Sequence, residues 1–186
     1  MELIFVYKRV LLTLILALSV QYSDAQEVAA PAFTLANVAG EQVTLPRAHD
    51  GVDIYFFWAS WCPYCKALMP HLQSMRIEHG DALTIYALNI RDDETPEHFM
   101  AERGYDFVEI PEADSIMELY GVRSTPGLFV VDGKGMIRLN LYEVIFDDDS
   151  EYKALSHGKK AGRRAPYWSA EIRRAIDKTL NESKGD

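Results

Sequence analysis

Cys62 and Cys65 are the only cysteines in this chain of 186 residues, and two residues separate them. A random pair would fall at that spacing roughly once in a hundred chains of this length, so the spacing carries information. A disulfide that closes so small a loop barely constrains the unfolded chain, which argues against a structural staple. Two thiols one helical turn apart can instead exchange a disulfide with a substrate, the thiolate being the attacking species. A zinc half-site is the competing chemistry, because Cys-x-x-Cys opens many structural zinc sites and His71 and His79 follow. Such sites draw their second ligand pair from another closely spaced couple, and none follows residue 65. His71 and His79 therefore read as polar positions on a helix, and neither a metal nor another cofactor is expected.

The elements that must position these thiols can be read from periodicity. Val52 to Phe57 is an apolar run without alternation, as in a central strand covered on both faces, and it delivers the chain to Cys62. From Cys62 to His79 the residues Leu68, Leu72, Met75 and Ile77 approximate a helical stripe, which Gly80 ends and Pro70 should kink. Residues 31 to 45 show two alternating runs around a polar turn with Gly40, which predicts an N-terminal hairpin. Leu83 to Asn89 reads as the next buried strand. Pro96 to Arg103 reads as a helix capped by Thr95, Phe107-Val108 as a short strand and Ser115 to Tyr120 as a short helix. Leu128 to Val131 and Met136 to Leu141 flank Asp132-Gly133-Lys134-Gly135, a strong hairpin turn. Ser169 to Leu180 predicts a terminal helix with Ser169 as its cap. Residues 143 to 168, with an acidic run at Asp147 to Asp149, read as a solvated loop, a partner surface being the alternative. Strands alternating with helices define an α/β domain.

The run Phe57-Trp58-Ala59-Ser60-Trp61-Cys62-Pro63-Tyr64-Cys65-Lys66 resembles the thioredoxin superfamily. The hairpin before it resembles that of the exported, TlpA-like disulfide reductases. The likeness covers about residues 31 to 141 and includes Pro70 and Gly121-Val122-Arg123-Ser124-Thr125-Pro126 before a strand. It implies a thioredoxin fold: a central mixed β-sheet flanked by helices, with the N-terminal hairpin and an inserted helix-strand segment. It implies Cys62 as the nucleophile at a helix N-terminus, where unpaired N–H groups and the helix dipole favour a thiolate, and Cys65 as the resolving thiol. Pro126 corresponds to the family's cis-proline, and Thr125 to the residue whose backbone pairs with an extended client. Trp61, Pro63 and Tyr64 complete the expected site, while Trp58 reads as core. Two positions depart from the pattern. Phe56 stands where thioredoxins usually hold a buried aspartate, and Pro63-Tyr64, the dipeptide of glutaredoxins, replaces the acidic residue frequent in TlpA-like reductases.

At the N-terminus Lys8-Arg9 precedes the apolar run Val10 to Val20, and Ser23-Asp24-Ala25 supplies small residues before Gln26. This reads as a secretory signal peptide over residues 1 to 25, with a single thioredoxin-like domain over 26 to 186. An uncleaved anchor is the alternative, since Leu3 to Val6 could lengthen the apolar stretch. The formal charge is -9, and it stays so without residues 1 to 25, where Lys8 and Arg9 cancel Glu2 and Asp24. Such a chain has no basic face for phosphates, so no nucleic-acid partner is expected.

Together these features predict an exported, periplasmic and monomeric thiol-disulfide oxidoreductase that reduces client disulfides and is recharged by a membrane redox partner. A net oxidant or isomerase would use the same residues at a different potential. A peptide-binding module would use Thr125-Pro126 without turnover. A thiol peroxidase would need a separate Thr-x-x-Cys element, which the chain lacks.

Overall fold

The computed structural model describes residues 28–92, 99–145 and 150–183. The expected signal segment, the Thr95 cap and the acidic run at 147–149 lie outside the described residues.

Strand β4 (Val52–Trp58) is buried at every position, and the absence of alternation in its sequence follows from that double cover. Ile54, Phe56 and Trp58 join one apolar layer, and Tyr55 and Phe57 the other. β4 runs parallel to β5 (Leu83–Asn89) and antiparallel to β7 (Gly127–Asp132). The mixed sheet is completed by β8 (Met136–Asn140) and β1 (Val28–Ala29) on one side and β6 (Val108–Ile110) on the other, in the order β1-β8-β7-β4-β5-β6. The β7–β8 turn closes as its sequence requires. Asp132 Oδ1 accepts from the N–H groups of Lys134 and Met136, and Gly135 adopts φ 82°.

Helix α1 (Pro63–His79) packs Leu68, Met69, Leu72 and Met75 under the sheet. Each such side chain contributes about 1.5–3 kcal/mol by leaving water. Ile77 does not belong to this stripe: it is 73% exposed. Nine residues after Leu68 is about two and a half turns, which places it on the opposite face.

The C-terminal helix is also longer than expected. It spans His157–Ser183, so Ser169 lies inside it and caps nothing. Ala161, Ala165, Trp168, Ile172 and Ile176 form one buried stripe against α1 and the sheet. Gly158, Gly162 and Pro166 are poor helix formers and obscured the first three turns, where packing overrides propensity. With the 3-10 turn Leu141–Glu143 and a short helix, α3 (Ser150–Ala154), most of 143–168 is structured rather than loop; the terminal helix is α4. The inserted segment comprises α2 (Phe99–Glu102) and β6, while Ser115–Tyr120 is replaced by a 3-10 turn at Ala113–Ile116.

The hairpin β2 (Phe33–Ala36) and β3 (Gln42–Leu45) forms a separate two-stranded sheet, turned at Gly40 with φ 79°. Phe33 and Leu45 close the second core layer against Tyr55 and Tyr120. The expected fold, a mixed sheet with flanking helices and an N-terminal hairpin, is borne out.

Candidate active site

Strand β4 ends at Trp58, and the chain turns through Ala59 to Cys62, where the Cys62 N–H donates to Ala59 O at 3.1 Å. Cys62 caps α1 and Pro63 opens it, a position where proline loses no hydrogen bond. The Cys62 Sγ stands where a serine or aspartate oxygen would cap a helix, and it accepts the N–H of Cys65 at 3.1 Å. The two cysteines form a disulfide with their Cα atoms 5.3 Å apart. Their sulfurs are almost fully covered, Cys62 at 1% exposure and Cys65 at 0%. On reduction, the same N–H group and the helix N-terminus would face a sulfur able to carry charge.

The Thr125–Pro126 peptide is cis. Tyr142, on the 3-10 turn after β8, donates its hydroxyl to Ser124 O at 2.5 Å and accepts the Ser124 N–H at 3.4 Å. A groove of about 340 Å³ runs between this loop and the start of α1. Tyr64, Ser124, Thr125, Pro126, Leu141, Tyr142, Val144, Arg164 and Trp168 line it. The structure thus places Tyr64, Thr125 and Pro126 together. Trp61 lies apart, 58% exposed, with its indole Nε1 donating to Arg91 O at 2.8 Å. Phe56 is wholly buried in the core layer beneath α1, as is Trp58. His79 faces Asp177 of α4 at 3.5 Å.

Several residues at the site gave no signal in the sequence. Tyr64 packs its ring against Trp168 at 6.1 Å and His157 at 6.3 Å, both in the stretch read as loop. Arg164 lies over the Trp168 ring at 5.6 Å. Asn89, the last residue of β5, and Arg91 and Asp92 just after it hold the turn before Cys62: Asp92 Oδ1 accepts the Ser60 hydroxyl at 3.0 Å, and Oδ2 accepts the Asn89 amide at 3.1 Å. The available clue was topological, since the C-terminal ends of neighbouring parallel strands gather at one edge. The register Trp58↔Asn89 puts these segments there.

This fold, with a Cys-x-x-Cys disulfide at a helix N-terminus and a cis-proline just before β7, defines a thioredoxin-fold protein. A comparison of family models matches residues 27–140 to the AhpC/TSA family, which spans more than half of the chain. The chain belongs to that family. It is 30% identical over 113 residues to the thioredoxin-like protein YneN of Bacillus subtilis, covering 59% of this chain and 66% of YneN. It is 28% identical over 109 residues to the thiol-disulfide oxidoreductase ResA of Halalkalibacterium halodurans, covering 56% and 61% respectively. The match therefore spans just under two thirds of the length of these relatives. Among solved structures, a thioredoxin-family thiol:disulfide interchange protein of Chlorobium tepidum superposes with a TM-score of 0.61. It shares 16% identity, over 85% of this chain and 99% of that one, and so bears on the fold alone.

Proposed function

We propose that this protein is an exported thiol-disulfide oxidoreductase that reduces disulfides in client proteins. The reading rests chiefly on one observation: Cys62 caps α1, its sulfur meets the Cys65 N–H at 3.1 Å, and cis Thr125–Pro126 lines a groove together with Tyr64, which stands between the cysteines. In the reduced protein the Cys62 thiolate attacks one sulfur of a client disulfide and the other client sulfur leaves as a thiolate. A mixed disulfide results. Cys65, deprotonated in turn, attacks Cys62, which releases the second client thiolate and restores the Cys62–Cys65 disulfide. Two electrons pass from the protein dithiol to the client, and a membrane-bound dithiol reductant returns them.

Thr125 presents its backbone to an extended client segment, Pro126 keeps that backbone clear of the thiols, and Pro63 and Tyr64 frame the approach. Export is supported by the N-terminal apolar run behind Lys8-Arg9. Among the described residues, no helix is long and apolar enough to cross a membrane.

The test is the reduction potential of residues 26–186, measured by equilibration with dithiothreitol or glutathione buffers, with Cys62→Ser as the control. A value near roughly -270 mV, in the range of thioredoxin, supports a reductase. A value near roughly -120 mV makes the protein a disulfide donor and overturns the direction.

A further inference from the structure

The turn that carries Trp61 to Cys62 is held from outside by a short segment after β5. Asp92 takes both hydrogens of Ser60: its Oδ2 accepts the Ser60 N–H at 2.5 Å and its Oδ1 the Ser60 hydroxyl at 3.0 Å. Asn89 donates to the same Oδ2 at 3.1 Å. Arg91 adopts a left-handed backbone with φ 51°, uncommon for a residue with a side chain. In that conformation its carbonyl receives the Trp61 indole, while its own N–H donates to Asp114 Oδ1 at 3.1 Å. Its guanidinium reaches Arg123 O at 3.3 Å, two residues before Thr125. Asn89 to Asp92 therefore touches both the turn that leads to Cys62 and the loop that carries the cis peptide.

We propose that Asp92 is a positioning residue that sets the reduction potential of the Cys62–Cys65 couple, acting through Ser60. This rests on the oxidoreductase reading above. Ser60 and Cys62 are two residues apart in a closed turn, so the carboxylate lies within the roughly 10 Å over which charges act at ordinary ionic strength. A negative charge there disfavours a thiolate at Cys62 and, with it, the reduced state. The Ser60 N–H and hydroxyl offset part of that charge. The same two donors are thereby committed to Asp92. Among the described residues, other charged or titratable groups at this end of the sheet include Lys66 on α1, Arg91 and Asp114 behind the turn, Arg123 before the cis peptide, and His157 and Arg164 on α4, and none of these bonds Ser60.

The signature is a pair of opposite shifts. Asp92→Asn keeps the shape but removes the charge, so the ratio of reduced to oxidised protein in a fixed glutathione buffer should rise about tenfold, or about 30 mV. The rate of Cys62 alkylation should reach half its plateau at lower pH. Ser60→Ala removes one donor and leaves the carboxylate less compensated, so the ratio should fall, by about threefold. Asp92→Glu keeps the charge and should stay within about threefold of the unaltered protein. Unchanged potentials and pH profiles in both Asp92→Asn and Ser60→Ala, even with lowered melting temperatures, would reduce Asp92 to a structural tie and overturn the proposal. Shifts of both in the same direction would do so too, since a loosened turn has that effect. If Asp92→Asn does not fold, Ser60→Ala decides alone: a fall supports the proposal and anything else overturns it. These potentials are read on the protein's own disulfide. Failure of the unaltered protein to reduce a client disulfide sinks the oxidoreductase reading instead.

Discussion

The hydroxyl of Tyr142 holds the carbonyl of Ser124, 18 positions earlier in the chain. Tyr142 sits on the turn that follows β8, so the bond ties the loop of the cis peptide to the far end of the β7–β8 hairpin. Tyr142→Phe removes both bonds to Ser124, the shorter worth about 1 kcal/mol, or about a fivefold change in an equilibrium. Client reduction should slow by about that factor in kcat/KM. The reduction potential should hold, because no bond to either sulfur changes. Steady-state kinetics on a disulfide client, paired with redox equilibration, checks both halves.

The proposed mechanism gives the two cysteines separable roles. Cys65→Ser leaves the proposed attacking sulfur and removes the proposed resolving one, so mixed disulfides with clients should accumulate and survive non-reducing electrophoresis. Cys62→Ser should yield no such adducts and no turnover. Adducts from Cys62→Ser in preference to Cys65→Ser would reverse the assignment.

Ile77 and Ile172 offer a contrast between two isoleucines on packed helices. Ile172 is 0% exposed under the sheet, and Ile77 is 73% exposed. Ile172→Ala should cost about 2–5 kcal/mol in urea unfolding, the usual cost of a cavity at a buried aliphatic. Ile77→Ala should fall within about 0.5 kcal/mol of the unaltered protein. Similar losses at the two sites would contradict the packing of α1.

Alkaline pH should weaken the fold through two phenols. Burial raises the Tyr55 and Tyr120 hydroxyls well above the ordinary tyrosine range; at Tyr55 the neighbouring Asp53 adds to the effect. Both phenols stay protonated in the folded protein while the unfolded chain ionises near pH ~10. Their contribution is therefore complete below that pH and is lost as pH rises toward the folded values, by about 1.4 kcal/mol per pH unit for each phenol. Chemical denaturation between neutral pH and pH ~11.5 should show this slope above the ordinary tyrosine pKa. A flat profile there would refute it.

Tyr55 supports a further substitution. Its hydroxyl is buried without a hydrogen-bond partner among the described residues, whereas that of Tyr120 donates to Pro31 O at 2.6 Å. Tyr55→Phe should thus be neutral or stabilising by up to about 1 kcal/mol, and Tyr120→Phe destabilising by about the same amount. Melting temperatures at neutral pH compare the two directly. Tyr55→Phe should also remove one phenol's share of the alkaline slope.

What the sequence determined by itself is what repeats locally or lies close along the chain. The unbroken apolar run of β4 announced a doubly covered strand, the glycines of residues 132–135 announced a hairpin, and two cysteines three positions apart before a helical stripe announced a pair of thiols on one turn. Each follows from periods and backbone preferences that a short window contains. Tertiary structure decided which distant groups meet those thiols. Parallel pairing of β4 with β5 brings Asp92 to Ser60, 32 residues away, and no local pattern encodes that distance. The first turns of α4 are helical although Gly158, Gly162 and Pro166 disfavour it, because the stripe from Ala161 to Ile176 buries apolar surface against α1 and the sheet. That packing carries Arg164 and Trp168 to the groove beside Pro126. It also explains Ile77, whose side chain was apolar enough to be counted with the core but whose place on α1 turns it to water.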